Sequence, residues 1–387
     1  MKRIGKALVS FVLIFSMLSG MGLQAAAQVE INAPSAILME GSTGTVIYEK
    51  NADERRSPAS ITKIMTLLLT FEKLEQGKIA LTDKVMTSTY ASSMGGSQVF
   101  LAAGEEQTLD TMIKCIAVSS GNDASVAVAE HIAGTEEAFV SLMNEKAQEL
   151  GMENTHFVDC CGLSNSDDHY TTARDVAIMS RELITKYPEI YNYTTIWMED
   201  IVHVTRQGEI PFTLSSTNKL LKQYQYATGL KTGSTDKAKY CFSGTANKDG
   251  MDMIAVIMGA EDYLSRFSEA ETLLNYGFSV CDVYEDNHPE QLPALTVTKG
   301  KQEQVKVGFR EPFRYVETGG GDLSQMEKEL VLPQSVEAPV QAGDMAGEMR
   351  YKLGGKVVGS SPIYFAEDVE LATYKDYLLK VLDVLLF

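Results

Sequence analysis

The sequence predicts an α/β (α+β) chain in which an antiparallel sheet lies between helices, followed by a small all-β domain and an amphipathic tail helix. Three observations carry this. A run from Ser57 to Gly77 places Ile61, Ile64, Met65, Leu67, Leu68, Phe71 and Leu74 at helical spacing. Between Leu230 and Met258, two apolar strands flank the turn Asn247-Lys-Asp-Gly250, and a helix from Tyr263 to Val283 follows to cover them. Beyond Asn287-His-Pro289 the pattern shifts to short β-type runs, and Val369 to Phe387 returns to helical spacing.

Residues 1–27 read as an export signal. Lys2, Arg3 and Lys6 form a charged start, Ala7 to Leu23 is apolar, and Ala25-Ala26-Ala27 offers small residues for cleavage. Ala36 to Met39 and Thr45 to Tyr48 form a hairpin around Gly41-Ser-Thr-Gly44. In the helix that follows, Ser57 is the expected N-cap, Pro58 takes the first helical position and Gly77 closes the end. Gly95-Gly96 marks a loop. Thr108 to Val118 is an apolar helix that breaks at Ser119-Ser120-Gly121-Asn122, where a second helix begins. Thr135 to Leu150 and Thr172 to Thr185 are further helices, with a loop from Met152 to His169 between them. The β-type runs Leu295 to Val297, Gln304 to Val307 and Phe313 to Val316 precede a hairpin around Gly354-Gly355. The resulting division is 1–27 signal, 28–286 main domain, 290–365 all-β domain and 366–387 tail helix. In the tail, Tyr374, Tyr377, Leu378, Val381, Leu382, Leu385 and Leu386 form the apolar stripe, so the helix either lies on a membrane or packs on its own domain.

The bulk properties exclude several functions. With 387 residues and 44% apolar content, the chain holds two or three ordinary domains. Its net charge is −18, and removal of Lys2, Arg3 and Lys6 makes the remainder more acidic still, which argues against binding nucleic acid through bulk charge. The five cysteines form no Cys-x-x-Cys, and Cys160 and Cys161 are adjacent; they read as buried small hydrophobes. The five histidines lack metal-ligand spacing, so no metal is expected.

Ser60 and Lys63 share one face of their helix start, with a positive dipole end and free N–H groups beneath the hydroxyl. Ser-x-x-Lys is a short pattern and also occurs at Ser216/Lys219 and Ser234/Lys237. Three elements stand in order along the chain: Ser60-x-x-Lys63, then Ser120-Gly-Asn122 at a bent helix connection, then Lys231-Thr232-Gly233 on a strand. With these three elements the chain resembles the penicillin-binding, penicilloyl-serine-transferase family, and most closely its low-molecular-mass D-alanyl-D-alanine carboxypeptidases. The similarity extends to Gly151-Met-Glu-Asn-Thr-His-Phe157 and His169-Tyr-Thr-Thr-Ala-Arg-Asp175, and implies a β-lactamase/DD-peptidase-like fold.

The resemblance implies Ser60 as nucleophile, Lys63 as its base and Ser120 as a proton relay between two lysines. It implies Asn122 as a substrate-amide ligand, Lys231, Thr232, Gly233 and Ser234 as the substrate-carboxylate strand, and the Ser60 and Ser234 N–H groups as the oxyanion hole. A free-base lysine at neutral pH needs its pKa lowered from ~10.4 by roughly three units. A second ammonium at about 4 Å, Lys231 across the cleft, would supply a shift of that order, and burial would add to it. The implied partners are peptidoglycan stem peptides ending in D-Ala-D-Ala and β-lactams as covalent inhibitors, with no cofactor. The implied place is the outer face of the cytoplasmic membrane. Rival expectations are a DD-endopeptidase, a β-lactamase and a non-catalytic wall-binding homologue. The β-lactamase-like string Glu271-Thr-Leu-Leu-Asn275 falls after Lys-Thr-Gly rather than before it, and reads as structural. Lys219 is a weaker substrate-binding candidate.

Overall fold

The computed structural model describes residues 29–205, 208–288 and 290–386; the export-signal expectation lies outside these. Strands β1 (Ser35–Glu40) and β2 (Val46–Lys50) form the expected hairpin. Helices α1 (Lys63–Glu75), α2 (Leu109–Ala117), α3 (Asn122–Ala133), α4 (Glu136–Glu149) and α5 (Ala173–Lys186) follow. Thr108, Thr135 and Thr172 cap α2, α4 and α5, each accepting from the N–H three residues on. A hairpin of β3 (Met198–Thr205) and β4 (Gly208–Ser215) comes next; the sequence reading missed it. Strands β5 (Ala227–Thr235), β6 (Lys239–Lys248) and β7 (Met251–Ala260) complete a five-stranded antiparallel sheet in the order β2-β1-β7-β6-β5.

The sheet is apolar on both faces, which makes its central strands continuous hydrophobic runs. Ile37, Met39, Ile254, Val256 and Met258 join the helical core around α1. Leu38 and Met253 meet the opposite helix α6 (Ser265–Val280) at Gly277, and Phe242 packs edge-on against Phe267. Helix α1 is buried over its first nine residues, so it is a core helix rather than a surface one.

The start of α1 differs from expectation. Ser57 makes no cap; a 3-10 turn, Ala59–Thr62, precedes the α-helix, and Ser60 sits in that turn rather than in the helix proper. The cause is tertiary. Ala59 has φ +47°, and its carbonyl accepts from the Thr62 hydroxyl at 2.8 Å. Gly77 does close the helix, with φ +64°.

Beyond α6, strand β8 (Asp282–Asp286) pairs with β9 (Phe313–Glu317). Leu295, Val297, Val305, Ile363, Phe365 and Val369 form a second apolar core. Strands β10 (Glu327–Val331), β11 (Met345–Leu353) and β12 (Lys356–Phe365) build the main sheet of this β domain. Tyr351 is fully buried there, stacked on Phe313 at 3.6 Å and donating to Asp286 at 2.8 Å. The tail helix α7 is Tyr374–Leu386, shorter than predicted because Val369 forms a bridge to Val340 instead.

The loop between α4 and α5 lies against the nucleophile turn at Gly162. This residue has φ +80°, and a Cβ there would sit 1.7 Å from the Ala59 carbonyl oxygen. Gly151 also has positive φ, but a Cβ would meet nothing within 4 Å. Gly162→Ala is therefore expected to cost more than about 2 kcal/mol, and Gly151→Ala less, because it carries backbone strain alone. Chemical denaturation of both variants checks this; equal losses would refute the steric account.

Candidate active site

The site is assembled from three elements. The 3-10 turn before α1 carries Ser60, with Lys63 opening the helix. The α2–α3 connection carries Ser120, which adopts φ +60°, and Asn122 opens α3. The edge strand β5 carries Lys231 to Ser234. Gly233 lets this strand lie directly on the nucleophile turn, for a Cβ there would fall 2.9 Å from the Pro58 oxygen and 3.0 Å from the Ile61 nitrogen. A cavity of about 350 Å³ opens between them, lined by Ser60, Ser120, Thr217, Lys219, Thr232 and Ser234 among others. A larger hollow of about 770 Å³ surrounds His288 and Phe309 in the β domain, but it brings no hydroxyl to a lysine.

Lys63 Nζ lies 3.1 Å from Ser60 Oγ, 2.6 Å from Asn122 Oδ1 and 2.7 Å from the Cys161 carbonyl. An ammonium would donate to all three. A neutral amine has two N–H donors and one lone pair; satisfying Asn122 and Cys161 leaves that lone pair for the Ser60 hydroxyl. Burial pushes the Lys63 pKa down, while Cys161, Cys160, Asp159 and Asp123 oppose that shift. Lys231 Nζ donates to Ser120 Oγ at 2.9 Å and to the Thr232 carbonyl at 3.1 Å. Its pKa lies well below the ordinary lysine value, first through burial and then through Lys63 and Arg266. The expected coupling thus acts most visibly on Lys231, and solvent exclusion is what depresses Lys63.

The structure brings all eight predicted residues together, with one difference in arrangement. Asn122 is already engaged on both sides, accepting from Lys63 and donating to the Gly95 carbonyl at 2.7 Å. In this state it braces the lysine rather than presenting a free amide.

Sequence reasoning missed the layer beneath. The Val158 N–H donates to His169 Nδ1 at 3.0 Å, so the proton sits on Nε2, which donates to Thr62 Oγ1 at 2.9 Å. Burial lowers the His169 pKa and favours this neutral form. Thr62 in turn donates to the Ala59 carbonyl, so the chain of bonds ends at the peptide preceding Ser60. Asp159 accepts from the backbone N–H groups of Cys161, Gly162 and Ser164, shaping the loop whose carbonyl holds Lys63. Arg266 is also buried at the cavity. Its Nη1 donates to the Gly233 carbonyl at 3.1 Å, and its guanidinium lies over Tyr263 and Phe267. Only His169 had a signal in the sequence, as part of the His-Tyr-Thr-Thr string; the others are spaced too far from the motifs to be paired with them.

Among the described residues, one group has metal-ligand chemistry at close range: Asp286, His288 and Glu290 in the β domain. Lys328 bonds both Asp286 and Glu290, which places a cation there already.

Comparison with known proteins agrees with this geometry. Residues 22–262 match the family model described as D-alanyl-D-alanine carboxypeptidase, and residues 281–371 match that of the penicillin-binding protein 5 C-terminal domain. The chain is 42% identical to D-alanyl-D-alanine carboxypeptidase DacF of Bacillus subtilis, over 90% of this chain and 89% of that protein. It is 33% identical to D-alanyl-D-alanine carboxypeptidase DacC of Escherichia coli, over 89% and 87%. Among solved structures, penicillin-binding protein 5 from Haemophilus influenzae superposes with a TM-score of 0.75 at 30% identity, covering 88% of this chain and 98% of that one. A buried lysine against a serine in a 3-10 turn, a second lysine against a second serine, and similarity along nearly the whole chain lead to one assignment: this chain belongs to the D-alanyl-D-alanine carboxypeptidase family of serine peptidases.

Proposed function

We propose that this protein removes the terminal D-alanine from peptidoglycan stem peptides through an acyl-serine intermediate on Ser60. The observation that carries this reading is the contact of Lys63 Nζ with Ser60 Oγ, in a setting where burial favours the neutral amine. Ser60 Oγ attacks the carbonyl carbon of the penultimate D-alanine while its proton passes to Lys63. The Ser60 and Ser234 N–H groups receive the developing oxyanion. The C–N bond then breaks, and Ser120, held by Lys231, relays a proton to the leaving amine. Water hydrolyses the ester and restores the hydroxyl. The chain's own groups supply every proton transfer, without a cofactor.

The same nucleophile accepts β-lactams. Among the described residues no carboxylate lines the cavity, and Glu271 and Asn275 lie on α6, where Asn275 accepts from Tyr224 at 2.9 Å. A β-lactamase needs a water-activating acid at the acyl-enzyme; this arrangement favours slow release instead.

Export and membrane attachment are part of the same proposal. Lys2 to Ala27 has the pattern of an export signal. On α7, Tyr374, Tyr377, Leu378 and Val381 recur at i, i+3, i+4 and i+7 and are all exposed. No described helix is long and apolar enough to cross a membrane, so peripheral contact by this stripe with the outer face of the cytoplasmic membrane is the reading that uses it.

Purified protein should release D-alanine from a defined pentapeptide and form a long-lived covalent adduct with benzylpenicillin, and Ser60→Ala should lose both. A wild-type protein that binds peptidoglycan but releases no D-alanine would overturn the assignment. The acylation rate should fall as pH drops, because protonation removes the Lys63 lone pair. The depressed pKa places this loss below the ordinary lysine value near ~10.4. A rate that shows no fall on acidification anywhere below the ordinary lysine range would exclude Lys63 as the base. Removing residues 374–387 should abolish co-sedimentation with lipid vesicles while leaving benzylpenicillin acylation intact; unchanged sedimentation would exclude the tail as the anchor.

A further inference from the structure

We infer that Thr62 and His169 are positioning residues for the oxyanion hole: together they grip the carbonyl end of the peptide whose N–H end, at Ser60, receives the oxyanion. The inference rests on the acyl-serine reading above and concerns how that site stabilises its developing charge.

The residues form one directional chain. His169 Nδ1 accepts from the Val158 N–H at 3.0 Å, and its Nε2 lies 2.9 Å from Thr62 Oγ1. The Thr62 hydroxyl has a single proton, which goes to the Ala59 carbonyl at 2.8 Å. Both ends therefore demand the same tautomer, with Nε2 donating. Every donor in the series points toward Ala59, and bonds so aligned polarise one another. Phe157 packs edge-on against the imidazole, with ring centroids 6.0 Å apart, and limits its rotation. Thr62 and His169 are buried behind the cavity wall rather than on it, so they reach substrate only through the peptide.

The last link is covalent. The Ala59 carbonyl and the Ser60 N–H belong to one planar trans peptide, in which they point in opposite directions. A hydrogen bond to the carbonyl oxygen draws electron density from the nitrogen, so the N–H becomes a stronger donor to an anion on the far side. The same bond fixes the plane of the peptide. Ala59 holds φ +47°, a region that alanine enters at a cost, so the orientation needs such a hold.

The second donor is built alike. The Ser234 N–H shares its peptide with the Gly233 carbonyl, which accepts from Arg266 Nη1 at 3.1 Å. Both amides that face the oxyanion are thus gripped at their carbonyl ends by a buried side chain, one neutral and one charged. A neutral hydroxyl is the weaker donor of the two. The imidazole behind Thr62 strengthens it.

The test reads the ester carbonyl of the benzylpenicilloyl adduct on Ser60 by isotope-edited infrared difference spectroscopy. Stronger hydrogen bonding in the oxyanion hole lowers this stretching frequency. Thr62→Val keeps the shape and loses the proton; it should raise the frequency and slow acylation about tenfold, a fraction of what deleting an oxyanion donor costs. Thr62→Ser should restore both. His169→Leu should move the band the same way by less. His169→Gln, whose amide can accept from Val158 and donate to Thr62, should return it. A merely structural role lowers the fraction of protein that acylates without moving the band of the adduct that forms. A Thr62→Val band coincident with that of wild type overturns the proposal, whatever the rates. Should that variant not fold, coincident bands for His169→Leu and His169→Gln overturn it. A wild type that forms no adduct on Ser60 would instead overturn the acyl-serine reading itself.

Discussion

The structure depends on keeping one amine in the dry interior beside one hydroxyl. Lys63 is fully buried, and burying an unpaired ammonium is among the costlier things a fold can do. The chain surrounds Nζ with three polar partners, each from a different segment: the Asn122 and Cys161 oxygens accept from it, and its lone pair is left for the Ser60 hydroxyl. Only a neutral amine is well matched to the apolar helices around it, and a neutral amine is what a serine nucleophile requires. Folding and catalysis therefore ask for the same protonation state.

Much of the surrounding architecture serves that contact. The sheet presents β5 at its edge so that Lys231 faces Ser120, and Gly233 allows the strand to touch the nucleophile turn. The loop shaped by Asp159 delivers the Cys161 carbonyl, and Gly162 permits its approach to Ala59. His169 and Thr62 pin that same Ala59 carbonyl from below. The left-handed backbone at Ala59 and at Ser120 falls at the two serine-bearing turns, where strain held by neighbouring packing is used to aim a side chain.

The two lysines also show why electrostatic intuition from a pair alone is incomplete. Mutual repulsion was expected to set the pKa of Lys63. In the folded chain burial is the first influence on Lys63, and Cys161, Cys160, Asp159 and Asp123, in that order, work against the shift. Lys231 lacks such acids among its main influences, and there the neighbouring amine adds to burial. The pair is asymmetric because the groups that oppose the shift, Cys161, Cys160, Asp159 and Asp123, act on Lys63, whereas the neighbours acting on Lys231 are both cations.

The sequence alone determined the sheet-and-helix class, the motif order and the all-β C-terminal domain, because these are written in local periodicity and in short residue strings. Through the family resemblance those strings carry, it also singled out Ser60, Lys63, Ser120, Asn122 and Lys231 to Ser234. Only the tertiary structure decided that Ser60 lies in a 3-10 turn, that Asn122 grips Lys63, and that Arg266, Asp159 and His169 support the site. Those facts arise from contacts between residues as far as 107 positions apart, such as Thr62 with His169. No local pattern encodes them, because hydrogen bonding and burial depend on which surfaces meet after the chain has folded.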